Sequence, residues 1–265
     1  MGIKRSFINA FLRARSAWRT WGSKNPPPSS IPVEMREAFT LGGRIPVLNW
    51  YLNDVVAGSL LWTTRSPSWS PSKVRRKVER YYGSTDRFLY AALEKYPVAD
   101  QDVVIIGSEM PWYECICATY GAHVTTIEYR QVDCRIPGLF VQTPDEFARS
   151  PRRFDVVVSI SSVEHDGLGR YGDPLRPEGD FAAMRSFHDL LKPGGLLLLA
   201  VPVGRDALVW NAHRIYGKTR LPMLFDGWEL VDSFGWDETC YEKPLGYFEM
   251  QPVFVLRSLS KEMHS

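Results

Sequence analysis

The densest group of polar side chains in the sequence lies between residues 159 and 173. It holds three acids, a histidine, an arginine and a tyrosine, namely Glu164, His165, Asp166, Arg170, Tyr171 and Asp173. An imidazole titrates near neutral pH, so His165 is a candidate general base, with Glu164 and Asp166 beside it as candidate catalytic acids. Two alternatives remain open for His165: it positions a substrate, or it bonds only to its neighbouring acids.

The same segment has glycines at 167, 169 and 172, which would let the backbone fold tightly over a ligand. Arg170, Tyr171 and Asp173 are therefore candidate substrate contacts. A metal site is not expected, because three consecutive side chains cannot all point the same way.

A second polar cluster follows a later apolar run. Asn211, His213 and Arg214 are its candidate substrate-binding residues. An ordinary surface connection is the alternative.

A third candidate site is a glutamate that ends an apolar run. Glu128 stands 21 positions after Gly107 (128 − 107), the spacing at which an acid accepts hydrogen bonds from a cofactor ribose. A solvated glutamate at a strand end is the alternative. The loop from Gly107 to Trp112 has one glycine, fewer than a standard nucleotide loop. The candidate cofactor-binding residues are Gly107, Ser108, Glu109, Glu128, Tyr129 and Ser161.

Short apolar runs that alternate with helical patterns surround these residues. Such alternation predicts a Rossmann-like α/β fold with a mostly parallel sheet and an antiparallel last strand. Ligands in such sheets bind beyond the carboxyl ends of the strands, where the polar segments fall. The predicted strands are 102–106, 123–128, 139–141, 155–160, 196–201, 228–234 and 253–257.

The first hundred residues differ from the remainder. Apolar residues at helical spacing and exclusively basic charge make residues 1–22 a candidate amphipathic helix for a membrane surface or a partner; docking on the protein's own N-terminal region is the alternative. A Pro-rich linker follows to residue 30. Residues 31–100 are predicted to form a mainly helical extension or cap, with helices from Pro71 to Arg80 and over 86–96. The α/β domain spans 101–265.

Composition narrows the class of protein. A net charge of +2 does not suggest nucleic-acid binding, and no apolar run reaches the length of a membrane-spanning helix. The four cysteines lack metal or disulfide spacing and are expected to be buried thiols in the cytoplasm. Oligomeric state is not predicted.

Several long motifs resemble one family. Residues 106–115, 124–129, 163–173, 201–204, 211–217 and 220–225 look like the family called domain of unknown function two hundred sixty-eight, and 155–160 with 190–199 resemble class I methyltransferase strands. The resemblance implies S-adenosylmethionine as cofactor, bound near Gly107, Glu109 and Glu128.

Three functions follow as hypotheses. The first is a methyltransferase acting on a small-molecule or glycan acceptor. The second is a non-catalytic protein of the same fold, which the glycine-poor loop favours. The third, a nicotinamide-dependent oxidoreductase, is disfavoured by the predicted antiparallel last strand.

Overall fold

The computed structural model describes residues 26–55 and 58–259. The predicted amphipathic segment 1–22 lies outside these residues, so its contact with a membrane or a partner stays a prediction. Within the described ranges, no helix is both long enough and apolar enough to cross a membrane.

Strands and helices alternate along most of the described chain. The strands are β1 (Val47–Trp50), β2 (Leu60–Trp62), β3 (Asp102–Ile106), β4 (His123–Ile127), β5 (Val132–Cys134), β6 (Phe140–Gln142), β7 (Phe154–Ile160), β8 (Leu191–Ala200), β9 (Ala207–Asn211), β10 (His213–Ile215), β11 (Trp228–Phe234) and β12 (Val253–Ser258). The α-helices are α1 (Val33–Phe39), α2 (Pro71–Arg75), α3 (Ser84–Lys95), α4 (Trp112–Thr119), α5 (Pro144–Arg149), α6 (Gly179–Leu190) and α7 (Arg220–Leu224).

Seven strands form the central sheet in the order β11-β12-β8-β7-β3-β4-β6. Strands β6, β4, β3, β7 and β8 are parallel, whereas β12 runs antiparallel to both β8 and β11. This topology confirms the predicted Rossmann-like fold with an antiparallel last strand. The strand order reverses between β3 and β7, so a crevice opens there beyond their carboxyl ends.

Burial explains why the central strands are so apolar. Val103, Ile105 and Val158 pack into one hydrophobic cluster with residues of α3 and α4, while Val104 and Val157 pack into a second with residues of α6 and α7. Because both faces are covered, the sheet interior selects continuous β-branched runs.

Two predicted boundaries are wrong. Helix α2 ends at Arg75 and does not reach Arg80, because Lys77 adopts a left-handed φ of 53° that a helix cannot continue through. Strand β8 begins at Leu191 and not at Leu196. The residues between them form an irregularity, since Phe154 pairs with Leu191 and Val156 with Leu196.

The N-terminal extension is joined to the α/β domain. Strand β1 pairs in parallel with β9, and β2 pairs in parallel with β5. Trp62 and Leu89 belong to the same buried cluster as Val103. The helical pattern of the extension predicted α3 well, but these short strands, together with β9 and β10, were missed.

Candidate functional site

A cavity of about 1020 Å³ opens at the carboxyl ends of β3, β4 and β7. Gly107 follows β3 with a φ of 67°, and a Cβ placed there would lie 2.5 Å from the Oγ of Ser162 on the segment after β7. Glycine is therefore required both by the turn and by the close approach of the two segments.

One side of the cavity, which we call the Glu128 edge, is formed by residues 107–112 and 128–130. Glu128 is 7% exposed, so it is not a solvated glutamate. Its Oε2 accepts a hydrogen bond from the Ser108 amide at 2.8 Å, and its Oε1 accepts one from the Arg130 amide at 2.9 Å. Burial raises the pKa of Glu128. The two amides fix the carboxylate and leave each oxygen able to accept a further bond.

The other predicted residues of this edge also reach the cavity. Ser108, Glu109 and Tyr129 line it. The Ser108 hydroxyl donates to the Met110 carbonyl at 3.0 Å, and the Glu109 carbonyl accepts from the Trp62 indole at 3.3 Å. A standard nucleotide loop has additional glycines. Here these two hydrogen bonds fix the conformation of the single-glycine loop.

The opposite side, which we call the Glu164 wall, is formed by residues 161–173, 212–213 and 247–251. Its centre is a hydrogen-bonded chain. Gln251 Nε2 donates to Ser161 Oγ at 3.3 Å, and Ser161 Oγ donates to Glu164 Oε1 at 2.7 Å. Glu164 is 1% exposed, and its Oε2 has no partner among the described residues. Burial raises the pKa of Glu164 to about 7.

His165 lies beside this chain in a defined tautomer. Its Nδ1 is 2.7 Å from the Ala212 carbonyl, an acceptor, so Nδ1 carries the proton and Nε2 is left as an acceptor 3.6 Å from Glu164 Oε1. Burial, aided by the charge of Arg170, lowers the pKa of His165 to about 3. A base that weak is poorly matched to neutral pH, whereas Glu164 is well matched.

The two aspartates of the predicted segment have different environments. Asp173 accepts hydrogen bonds from the Gly167 amide at 2.7 Å and the Gly169 amide at 3.2 Å, so its carboxylate holds the loop together. Asp166 lines the cavity, and burial followed by the charge of Asp173 raises its pKa. The glycines at 167, 169 and 172 all have positive φ, as tight folding requires.

Arg170 ties the wall to the N-terminal extension. Its Nε donates to Asp54 Oδ2 at 2.7 Å, and its Nη1 donates to the Ala212 carbonyl at 3.3 Å. Its guanidinium also lies over the ring of Tyr171, 4.8 Å from the centroid. Arg170 and Tyr171 both line the cavity, but the charge of Arg170 is already engaged.

Two predicted substrate-binding residues, Asn211 and Arg214, do not line the cavity. Asn211 is fully buried, and its Oδ1 accepts from the Leu52 amide at 2.8 Å. Arg214 is 2% exposed and donates at 2.7–3.3 Å to four backbone carbonyls, those of Glu164, Asp166, Arg176 and Pro177. Their polar atoms bond within the protein, and neither side chain lines the cavity, so their role as substrate contacts stays a prediction.

His213, from the same cluster, does line the cavity. Its Nε2 is buried without a partner, and burial lowers its pKa to about 4. The ring lies 4.8 Å from Phe248 and 6.0 Å from Trp50, centroid to centroid. These aromatic rings give the wall an apolar face.

Sequence reasoning missed Gln251, Phe248 and Trp50. A signal existed for Gln251. Because β12 is antiparallel, the residues just before Val253 emerge at the carboxyl edge of the parallel strands, opposite Ala200. Trp50 arrives through the pairing of β1 with β9, which no local pattern indicates.

No cluster that could hold a metal ion occurs within residues 26–55 and 58–259. All four cysteines are free thiols, three of them buried. The sheet order places this cavity at the switch point of a Rossmann-like sheet.

Residues 100–245 match the family described as "Caenorhabditis protein of unknown function, DUF268", and the chain belongs to this family. A search of the curated proteins gives no match.

Solved structures similar to this chain include three methyltransferases. The 1,6-didemethyltoxoflavin-N1-methyltransferase of Burkholderia thailandensis is 15% identical, with 63% of this chain and 75% of that chain covered and a TM-score of 0.46. The glycopeptide N-methyltransferase MtfA is 13% identical, with 68% and 92% covered and a TM-score of 0.47. The N-methyltransferase NodS of Bradyrhizobium japonicum is 16% identical, with 71% and 97% covered and a TM-score of 0.46.

Proposed function

We propose that this protein is an S-adenosylmethionine-dependent methyltransferase that acts on a small-molecule acceptor. The observation that carries the proposal is the carboxylate of Glu128. It stands at the end of β4, fixed by the amides of Ser108 and Arg130, at the edge of a cavity that also contains Glu164.

The residues present fit this cofactor. A carboxylate with both oxygens oriented and still able to accept suits the two vicinal hydroxyls of a ribose. The turn at Gly107 places the first loop against the segment after β7 at the switch point, where a nucleotide-like ligand binds in such sheets. When bound, S-adenosylmethionine supplies a methyl group that its sulfonium already activates.

The protein's own contribution is to orient the acceptor and to take its proton. Glu164 Oε2 is the group placed to accept the proton that the acceptor's oxygen or nitrogen loses on methylation. Its raised pKa matches that role at neutral pH. His165 donates its Nδ1–H to the Ala212 carbonyl, and its Nε2 lies 3.6 Å from Glu164 Oε1 without a hydrogen bond between them.

Calorimetric titration with S-adenosylhomocysteine tests the cofactor site. We expect the wild type to bind and Glu128→Ala to bind about ten- to a hundredfold more weakly, the loss of a charge-assisted contact of about 1.5–3 kcal/mol. Glu229→Ala is the matched control, because Glu229 is an exposed carboxylate on the sheet-edge strand β11. Unchanged affinity in folded Glu128→Ala would remove Glu128 from the site.

The same titration separates the competing hypotheses. Binding of NAD but not of S-adenosylhomocysteine would support an oxidoreductase. Binding of S-adenosylhomocysteine with no transfer to any acceptor would support a non-catalytic protein, which the single glycine of the Gly107 loop favours. Failure of the wild type to bind either cofactor would overturn the proposed function.

A further inference from the structure

The Glu164 wall has unfilled hydrogen-bonding capacity. Three buried polar atoms of this wall lack partners among the described residues, namely Glu164 Oε2, His213 Nε2 and Gln251 Oε1. Their residues line the same cavity. A buried polar atom without a partner costs about 1–3 kcal/mol, and a ligand that supplies the partner removes this cost. Three of them on one wall indicate a ligand with several complementary groups.

The orientation of Gln251 shows which groups are needed. Its Nε2 donates to Ser161 Oγ, whose own proton goes to Glu164 Oε1. The remaining Gln251 atom, Oε1, is a carbonyl oxygen and can only accept. Ionised Glu164 is likewise an acceptor. Gln251 and Glu164 are linked by one hydrogen bond each to Ser161. A ligand that pairs with the remaining oxygen of both must therefore present at least two neighbouring O–H or N–H donors.

Charge argues against an anionic ligand on the Glu164 wall. Seven acidic residues and two arginines line the cavity. Of the arginines, Arg170 is paired with Asp54 and the Ala212 carbonyl, whereas Arg130, whose buried Nε has no hydrogen-bond partner among the described residues, lies on the Glu128 edge. Burial keeps His165 and His213 uncharged by lowering the pKa of each. The wall therefore offers no free cation to a phosphate or a carboxylate.

The aromatic rings add a third requirement. Trp50 and Phe248 lie 5.6 Å apart, and His213 packs against both. Trp50 remains 46% exposed, which leaves part of its surface free toward the opening. Such a surface stacks against the flat apolar face of a ring.

We infer that the acceptor is an uncharged or cationic ring carrying at least two adjacent hydroxyl or amino donors, seated on Trp50 and Phe248 with its donors on Glu164 and Gln251. This inference rests on the proposed function and names its acceptor class. Two sources share this chemistry: a pyranose sugar and a phenolic ring.

Ligand-observed NMR with the full chain, with and without saturating S-adenosylhomocysteine, tests this assignment. The probes are methyl hexopyranosides, a hexosamine, catechol, the corresponding hexuronate and hexose phosphate, and cyclohexanol as a ring with one donor. We expect a neutral or amino ring with adjacent donors to bind about tenfold or more tightly than its anionic counterpart and than cyclohexanol. The sugar and catechol arms identify the source.

Variants test the contacts. Gln251→Leu should weaken the ring ligand about tenfold while the affinity for S-adenosylhomocysteine stays unchanged. Gln101→Leu is the matched control, because Gln101 precedes β3 at the opposite edge of the sheet. Tighter binding of the anionic probes, or no binding of any ring, would overturn the inference. A neutral ring that binds when S-adenosylhomocysteine does not would support the ring contacts of the wall, and would overturn the proposed function together with the ring's role as methyl acceptor.

Discussion

The carboxylates on the two sides of the cavity have opposite environments. On the Glu128 edge the protein has satisfied its own carboxylate, since backbone amides of Ser108 and Arg130 hold both oxygens. On the Glu164 wall the protein leaves Glu164 Oε2, His213 Nε2 and Gln251 Oε1 without partners. The first arrangement suits a fixed hydrogen-bond acceptor for a bound cofactor. The second leaves polar atoms available to a substrate that reacts.

The same difference distinguishes two adjacent residues, one that bonds within the protein and one that lines the cavity. Arg214 donates to four backbone carbonyls and forms an ion pair with Asp180. Its neighbour His213 lines the cavity, and its Nε2 has no partner among the described residues. Polarity alone therefore does not identify a ligand contact. What identifies it is hydrogen-bonding capacity that the fold leaves unused.

The largest expected effect is that of a substitution at Glu164, the centre of the Glu164 wall. Glu164→Gln keeps the side chain's shape but cannot take a proton, so turnover with the acceptor identified by the ring-ligand screen should fall roughly 10²–10⁴-fold. In the wild type, the turnover number should rise as pH increases through about 7, because Glu164 ionises there. The variant should lose this rise, and its affinity for S-adenosylhomocysteine should stay unchanged.

His165→Asn serves as the control for that experiment. The Asn Nδ2 can replace the Nδ1 donor to the Ala212 carbonyl, so the rise in turnover near pH 7 should persist. A profile that survives in Glu164→Gln and disappears in His165→Asn would assign the base to the histidine and contradict our interpretation of the wall.

The second prediction tests whether Arg214 is scaffold. Arg214→Met removes the donor of the Glu164 and Asp166 carbonyls, while the Arg176 and Pro177 carbonyls keep a second donor. The fully buried Asp180 keeps its closer pair with Arg220. A buried carbonyl left without its donor costs about 1–3 kcal/mol, so the two carbonyls together should lower the free energy of unfolding in urea by roughly 2–6 kcal/mol. Arg257→Met is the control, because its pair with Glu229 is about half exposed and contributes at most about 1 kcal/mol. An Arg214→Met protein of normal stability that lost only acceptor binding would support Arg214 as a ligand contact.

Much of the Glu128 edge could be predicted from the sequence, because it depends on local rules. A β-branched run, a glycine turn and an acid at the next strand end determine where Gly107 and Glu128 lie once the strands are parallel. The loop after β7 followed from the same rule, which placed Glu164 and His165 at the correct edge of the sheet.

The remainder of the Glu164 wall depends on contacts between distant segments. Ser161 and Gln251 are 90 positions apart, and Asp54 and Arg170 are 116 apart. Short strands such as β1 and β9 form by pairing with each other and carry no clear periodicity of their own. The position of Asn211 and Arg214 outside the cavity lining could not be predicted for the same reason, since only the tertiary structure shows which polar atoms already bond within the protein.

The smallest expected effect tests the protonation of the wall through stability. An unfolded chain protonates His165 near pH 6.5, whereas burial lowers its pKa in the folded chain to about 3. Between these values the unfolded state binds the extra proton, so the free energy of unfolding must fall as pH decreases. For this residue the loss between pH 7 and pH 5 is about 2 kcal/mol.

His165→Asn removes that contribution, so the stability difference between wild type and variant should shift by this amount over the interval. His123→Gln, at an exposed histidine, is the control. Parallel pH dependences of wild type and His165→Asn would mean that the ring titrates normally. It would then be available as a base near neutral pH, and the division of roles between Glu164 and His165 would be reversed.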